Sequence, residues 1–368
     1  MPDKIRCCLA AVFFLALSGC VKEDLSDCPE PEQGIVLRYR YDLNMDYADK
    51  FAERVENLQA FIFDGEGILR DTLVPPVGAG TITPGWERKV NLPAGDYSIV
   101  TWAGSDNFYD HYYHASSNGD ASGYRPGVIL GRTRLEDMKM FLKYEPASDF
   151  PDDKTPCDAD LKDLYHGMVQ HVTVPAEGFT AITTPLVKNT NTIRIRIDGL
   201  PKLRSGVHEG DFELSVTGCN SHYKYDNTIG DKASSLRYIP SRSRIENGSL
   251  HADIRTLRLT RPESDPLGNA SMLLDIRYKP GGLDICKDVN LVDLILSGKI
   301  PARDAQGNLL TDSEGKQEYV SPTLEYLDRQ DLFEIVYEIE ENPADGSPVF
   351  TVYVNDWKIT HIYPVPTF

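Results

Sequence analysis

Two stretches of the chain alternate apolar and polar residues with a period of two. In residues 35–43, Leu37, Tyr39, Tyr41 and Leu43 alternate with Arg38, Arg40 and Asp42. In residues 191–200, Ile193, Ile195 and Ile197 alternate with Arg194, Arg196 and Asp198. Successive strand side chains point to opposite faces, so this spacing demands a sheet with one buried face. A slip of one residue would turn every isoleucine to solvent. Further strands are expected at 58–64, 68–73, 98–103, 139–144 and 168–174 in the first half. In the second they are expected at 212–217, 256–260, 272–278, 332–338, 349–354 and 359–365. Asp64-Gly65-Glu66-Gly67 reads as a hairpin turn, and Leu92-Pro93-Ala94-Gly95 as a turn into a strand. Helical spacing is confined to 46–56, with Asp46 as a cap, and 289–296. Many short strands and few helices predict an all-β fold of sandwiches. The Pro175-Ala176-Glu177-Gly178 break divides it into residues 34–178 and 179–368.

The N-terminus predicts how this body is held. Lys4 and Arg6 precede an apolar run that closes on Leu17-Ser18-Gly19-Cys20. A basic start, an apolar run and small residues before the cut make a secretory signal. Leu-Ser-Gly-Cys resembles the lipobox of bacterial lipoproteins. Residues 1–19 are then a signal peptide, Cys20 carries lipid, and residues 20–33 are an acidic, Pro-containing linker too polar to fold. Lys22-Glu23-Asp24 resembles the signal that sends some lipoproteins to the outer face of an outer membrane.

Charge and cysteines narrow the partners. A net charge of −18 over 368 residues argues against nucleic acid and against adhesion to anionic lipid. After the signal and the lipid site, Cys28, Cys157, Cys219 and Cys286 remain, in a compartment where disulfides persist. Four cysteines allow three pairings. The one that keeps each bridge within one half is Cys28–Cys157 with Cys219–Cys286.

Few residues suggest chemistry. Residues 104–131 read as a long irregular stretch carrying Tyr109, Tyr112, Tyr113 and Tyr124, an aromatic loop that could stack on sugar rings. His111 and His114 beside Asp110 lack metal-site spacing, and the aspartates between 149 and 163 lack an EF-hand pattern, so they read as a solvated acidic loop. There is no nucleophile motif and no phosphate loop. The expectation is a protein with no enzymatic activity, metal or cofactor. At the C-terminus, His361, Ile362, Tyr363, Val365 and Phe368 lie in a segment broken by Pro364 and Pro366. It reads as an edge able to pair with a neighbouring chain.

Several stretches then read together: Asp24–Pro29 after the lipid cysteine, VENLQAFIFDGEG at 55–67, LPAGDYSIVTWAG at 92–104, DLYHG at 163–167 and the closing strands. Their order resembles the FimB-type fimbrillin-A associated anchor proteins, lipoprotein subunits of type V pili. The resemblance implies two tandem transthyretin-like β-sandwich domains and a place at the base of a pilus, as anchor or accessory subunit. It implies pilin subunits of the same fibre as partners, strand exchange as the means of joining, and the outer membrane as the site. Arginines between strands leave an untrimmed anchor and a trimmed stalk or tip subunit both open. The alternative is a surface glycan-binding β-sandwich lipoprotein that uses the four tyrosines.

Overall fold

A computed structural model describes residues 32–73, 82–104, 109–114, 124–142, 156–157, 161–230, 235–259 and 272–360. The first half runs β1 (Gln33–Arg40), β2 (Leu58–Asp64), β3 (Leu69–Leu73), β4 (Glu87–Asn91), β5 (Gly95–Gly104) and β6 (Tyr109–His114). It continues through β7 (Tyr124–Pro126), β8 (Met138–Leu142), β9 (Pro156–Cys157), β10 (Leu164–Val174), β11 (Gly178–Pro185) and β12 (Val187–Lys188). The second half opens on β13 (Thr190–Asp198), β14 (Phe212–Gly218), β15 (His222–Lys224), β16 (Leu236–Tyr238), β17 (Arg242–Glu246) and β18 (Ser249–Leu257). After them come β19 (Leu273–Tyr278), β20 (Leu283–Asn290), β21 (Ile300–Pro301), β22 (Tyr319–Val320), β23 (Leu332–Glu341), β24 (Pro348–Val354) and β25 (Trp357–Lys358). The described α-helices are short: α1 (Phe51–Arg54), α2 (Leu291–Leu296) and α3 (Leu324–Arg329).

Strand alternation sets the layers. A sheet ordered β11-β1-β4 faces a sheet ordered β12-β10-β5-β2-β3. Ile35, Leu37 and Tyr39 from β1 meet Ala60 and Ile62 from β2 and Tyr97 and Ile99 from β5 in one core. The intervening residues Phe61, Phe63, Val100 and Trp102 enter a second core, which continues through Met138 and Met140 to Ile193, Ile195 and Phe333. The five-stranded sheet is therefore buried on both faces, which is why 58–64 reads LQAFIFD with no polar face.

A second sandwich, drawn mostly from the second half with β9 of the first half in one sheet, builds on that shared core. The sheet β17-β18-β13-β23-β24-β25 packs Ile193, Ile195 and Ile335 against Leu214, Val216 and Ile276 of the sheet β20-β19-β14-β16-β9. Its outer face is charged: Arg194 donates from Nε and Nη2 to both Asp253 carboxylate oxygens at 2.9 Å. The turn at 175–178 leads from β10 into β11, and strand pairing with the first half continues to Lys188.

Four readings of the sequence change. The helix over 46–56 shrinks to Phe51–Arg54. Asp49 Oδ1 accepts from the Tyr41 and Phe51 amides, while Asn44 Nδ2 donates to the Tyr41 and Ala48 carbonyls. These side chains capture backbone groups that a helix would need. The stretch 104–131 is not all irregular: it contributes β6 and β7 to the four-stranded sheet β15-β8-β6-β7. The strand at 256–260 is the end of the longer β18.

The Cys219–Cys286 bridge does not form. Cys286 stands opposite Ile276, which in turn stands opposite Leu214. Cys219 lies about 16 Å farther along that strand at ~3.3 Å per residue. A disulfide needs Cα atoms within ~7 Å. Cys286 is buried, its thiol donating to the Leu274 carbonyl at 3.3 Å, and burial pushes its pKa up to about 12. Cys157 is buried in β9, while its expected partner Cys28 lies outside the described residues.

Candidate functional site

The two ends of the described chain differ most in how they are seated, and with the junction between the halves they form the candidate site. At the N-terminal end, β1 is the middle strand of its sheet. All eight of its residues pair in parallel with β11, and Gly34 to Arg38 pair antiparallel with β4. Ile35 and Leu37 are fully buried. Tyr39 Oη and Thr101 Oγ1 lie 3.0 Å apart in a buried hydrogen bond across the sandwich, and burial raises the Tyr39 pKa. Gly34 is required by close approach: a Cβ there would run into the Val90 carbonyl. Tyr41 packs edge-on to Tyr165 at 5.0 Å.

Past Tyr41 the chain meets the second half. Lys188 Nζ, whose side chain is 8% exposed, bridges Asp163 at 3.2 Å and Asp331 at 3.0 Å. Arg255 adds a 2.7 Å contact to Asp163. Burial alone would raise the Asp163 carboxyl, but Lys188 and Arg255 override it and hold the pKa below the ordinary value. On another side, Arg329 donates from Nη1 to the Asp42 and Asn44 carbonyls, with its guanidinium 4.5 Å over the Tyr47 ring. Asn189 and Asn227 exchange amide hydrogen bonds, the Asn189 donor making the shorter one at 2.5 Å. His166 packs at a tilt against Trp102, ring centroids 4.5 Å apart, and bonds the Tyr225 carbonyl through Nε2 at 2.8 Å. Burial lowers the His166 pKa to about 4. The junction thus sets a polar layer beside a shared apolar core, with the buried Trp102 Nε1 and Arg255 Nε left without hydrogen-bond partners among the described residues.

The C-terminal end is built differently. β24 pairs with β23 along its whole length, but on its other side, among the described strands, only Tyr353 and Val354 pair, with β25. One more bond follows, from the Ile359 amide to the Val352 carbonyl at 2.8 Å. Val349, toward the start of β24, is 43% exposed. Here the described residues stop at Thr360.

The sequence model of the fimbrillin-A associated anchor proteins Mfa1 and Mfa2 matches residues 25–363. The chain belongs to this family. The fimbrial anchor protein Mfa2 from Porphyromonas gingivalis shares the fold at 20% identity, covering 89% of this chain and 99% of that one, with a TM-score of 0.61. A candidate adhesin from Bacteroides thetaiotaomicron aligns at 22% identity over 90% of this chain and 99% of that one, TM-score 0.66. A candidate polysaccharide-binding protein from the same organism aligns at 22% identity over 89% and 96%, TM-score 0.64. No curated protein matches the sequence.

For this anchor-family chain, the expected site residues fall in three groups. Cys20, Cys28 and the tail residues His361, Ile362, Tyr363, Val365 and Phe368 lie outside the described residues. Tyr109, Tyr112 and Tyr113 lie on β6 and Tyr124 on β7, where Tyr124 pairs with His114. Asp163, expected in a solvated acidic loop, is instead ion-paired at the junction. Sequence reasoning missed Lys188, Arg255, Asp331 and Arg329. Lone charges scattered over the chain carry no spacing signal, and only the fold brings them together.

Proposed function

We propose that the protein is an outer-membrane lipoprotein that serves as the anchor or an accessory subunit of a pilus. Acyl chains on Cys20 hold it, and residues 20–33 lead from the lipid to the start of β1. The C-terminal segment 361–368 joins the neighbouring pilin by strand pairing. The observation that carries this reading is the seating of β1. The strand that follows the linker is the middle strand of a three-stranded sheet of the first sandwich, its inward side chains Ile35, Leu37 and Tyr39 buried, so a pull on the tether is taken up by the core. The two-residue pairing of β24 with β25 at the other terminus supports the second half of the reading. No described helix is long and apolar enough to cross a membrane. Family membership supports an envelope role beside other fimbrial subunits.

The experiment is Cys20→Ala with palmitate labelling and membrane fractionation. Burial of acyl chains is worth ~0.8 kcal/mol per CH₂. The variant should therefore lose label and leave the membrane fraction. A Cys20→Ala protein that stays membrane-bound in high salt would refute the tether.

A further inference from the structure

Leu130 is the most exposed large apolar side chain among the described residues, at 57%, and Ile129 beside it is 36% exposed. The pair stands at the tip of a well-bonded turn. The Arg132 and Thr133 amides both donate to the Ile129 carbonyl, at 3.1 and 2.9 Å, and the Ile129 amide donates to Thr133 Oγ1 at 2.8 Å. Thr133 itself is buried, and Gly131 takes a φ of 72° within the turn. Single apolar side chains scattered over a surface need no explanation. Two in succession, kept exposed by three hydrogen bonds, ask for one.

The fold fixes where this tip stands. Backbone bonds dock the turn onto the start of β3: Gly131 donates to the Leu69 carbonyl at 2.8 Å, Leu69 to the Thr133 carbonyl at 2.9 Å and Leu135 to the Gly67 carbonyl at 2.8 Å. Leu69 pairs with Phe63, and the next residue of β2, Asp64, pairs with Tyr97 near the start of β5. Gly95, the first residue of β5, pairs with Val174, and the turn after Val174 brings Gly178 against Gln33, the first residue of β1. The tip therefore flanks the end of the first sandwich at which β1 enters. The junction with the second half lies at the opposite end, where Leu58 pairs with Ala103 and Leu164 with Gly104.

The entry of β1 is the point to which the tether leads, so the tip stands on the side of the body that faces the bilayer. Residues 20–32 span at most about 45 Å, so lipid on Cys20 limits the distance and leaves the orientation free. Local charge suits a lipid surface. The net charge is −18, yet Arg70, Arg132 and Arg134 gather at this turn. Arg70 and Arg134 are ion-paired with Asp64 and Glu136, and Arg132 is exposed with no ion pair among the described residues. Apolar side chains in the acyl boundary, with arginine heads level with the phosphates, make an interfacial contact.

We propose that Ile129 and Leu130 insert into the bilayer to which the protein is tethered. The body is then held at two points, with the second half directed away from the membrane. This rests on the tether reading above, and the test separates the two.

The full mature chain is placed on phosphatidylcholine vesicles in two ways: through its own lipid, and through a hexahistidine tag in place of Cys20 on a nickel-chelating lipid. The tagged arm does not depend on lipidation, so a failed tether and a failed tip give different results. Leu130→Trp reports the surroundings of the tip. In both arms its emission should shift to the blue on vesicles and be quenched by brominated acyl chains, beyond the wild-type signal of Trp86, Trp102 and Trp357. Ile129→Ser with Leu130→Ser should speed release from the nickel vesicles by imidazole roughly tenfold, because one of two linked contacts is lost. Both side chains are exposed, so the melting temperature should stay that of the wild type. Leu309→Ser with Leu310→Ser removes another exposed apolar pair, in the second half, and should leave release unchanged. Three results would each overturn the proposal: Leu130→Trp emission indifferent to vesicles, release unaffected by the Ile129 and Leu130 substitutions, or release speeded equally by the Leu309 and Leu310 substitutions.

Discussion

The first strand and the last make opposite bargains with their sheets. β1 is paired on both sides and buries Ile35, Leu37 and Tyr39, with a glycine admitting β4 at close range. β25 is a two-residue strand, with Trp357 exposed and no described strand paired to β24 on that side before Tyr353. The contrast teaches where the chain can give and where it cannot. An end seated in a core resists removal, because withdrawing it leaves a cavity and an unpaired sheet. An end that holds its sheet by a few bonds can exchange partners at little cost.

Breaking the strong end should have the largest effect. Leu37→Ala removes a fully buried side chain from the middle of β1 and should cost about 2–5 kcal/mol, read from urea unfolding. A loss under about 1 kcal/mol would mean that β1 is not the keystone of its sandwich.

The junction should come next. Lys188→Met leaves Asp331 without the cation that faces it, while Asp163 keeps Arg255. Because the two carboxylates are partly exposed, the cost should be about 1–2 kcal/mol, less than for a sealed ion pair. Lys188→Met with Asp331→Asn should recover part of it. An additive loss would show that the two residues do not act together.

A further effect is set by pH. The His166 pKa falls from 6.5 in the unfolded chain to about 4 in the fold, so between those values the unfolded state binds the extra proton. Stability should be complete above pH 6.5 and decline as pH falls toward 4. Thermal melts across that window should show the slope, and His166→Phe should flatten it. Asp163, held below the usual carboxylate value, adds its own loss only at more acid pH. An unchanged slope in His166→Phe would remove this residue from the account.

The same contrast explains what could be read in advance. Strands with a period of two, or with no polar face, announce themselves: residues 58–64 are expected and observed as the same strand. Alternation in 191–200 was legible for the same reason, since one face meets the core and the other meets Asp253 and solvent. The helix at 46–56 was misread because Asn44 and Asp49 bond the backbone locally, and periodicity does not register such bonds. The expected Cys219–Cys286 bridge failed because sequence places both cysteines in one half but not their register across β14, β19 and β20. The junction charges were invisible for a related reason: Asp163, Lys188, Arg255 and Asp331 are far apart in the chain and become neighbours only when two sheets meet.

The difference between the two ends is tested most directly by deleting residues 361–368 in cells that make pili. The account predicts a truncated protein that stays lipidated and membrane-bound, melts within about 2 °C of the full chain and no longer retains the fibre, so that pili appear in the medium. A truncated protein that fails to fold, or one that still holds pili on the cell, would contradict it.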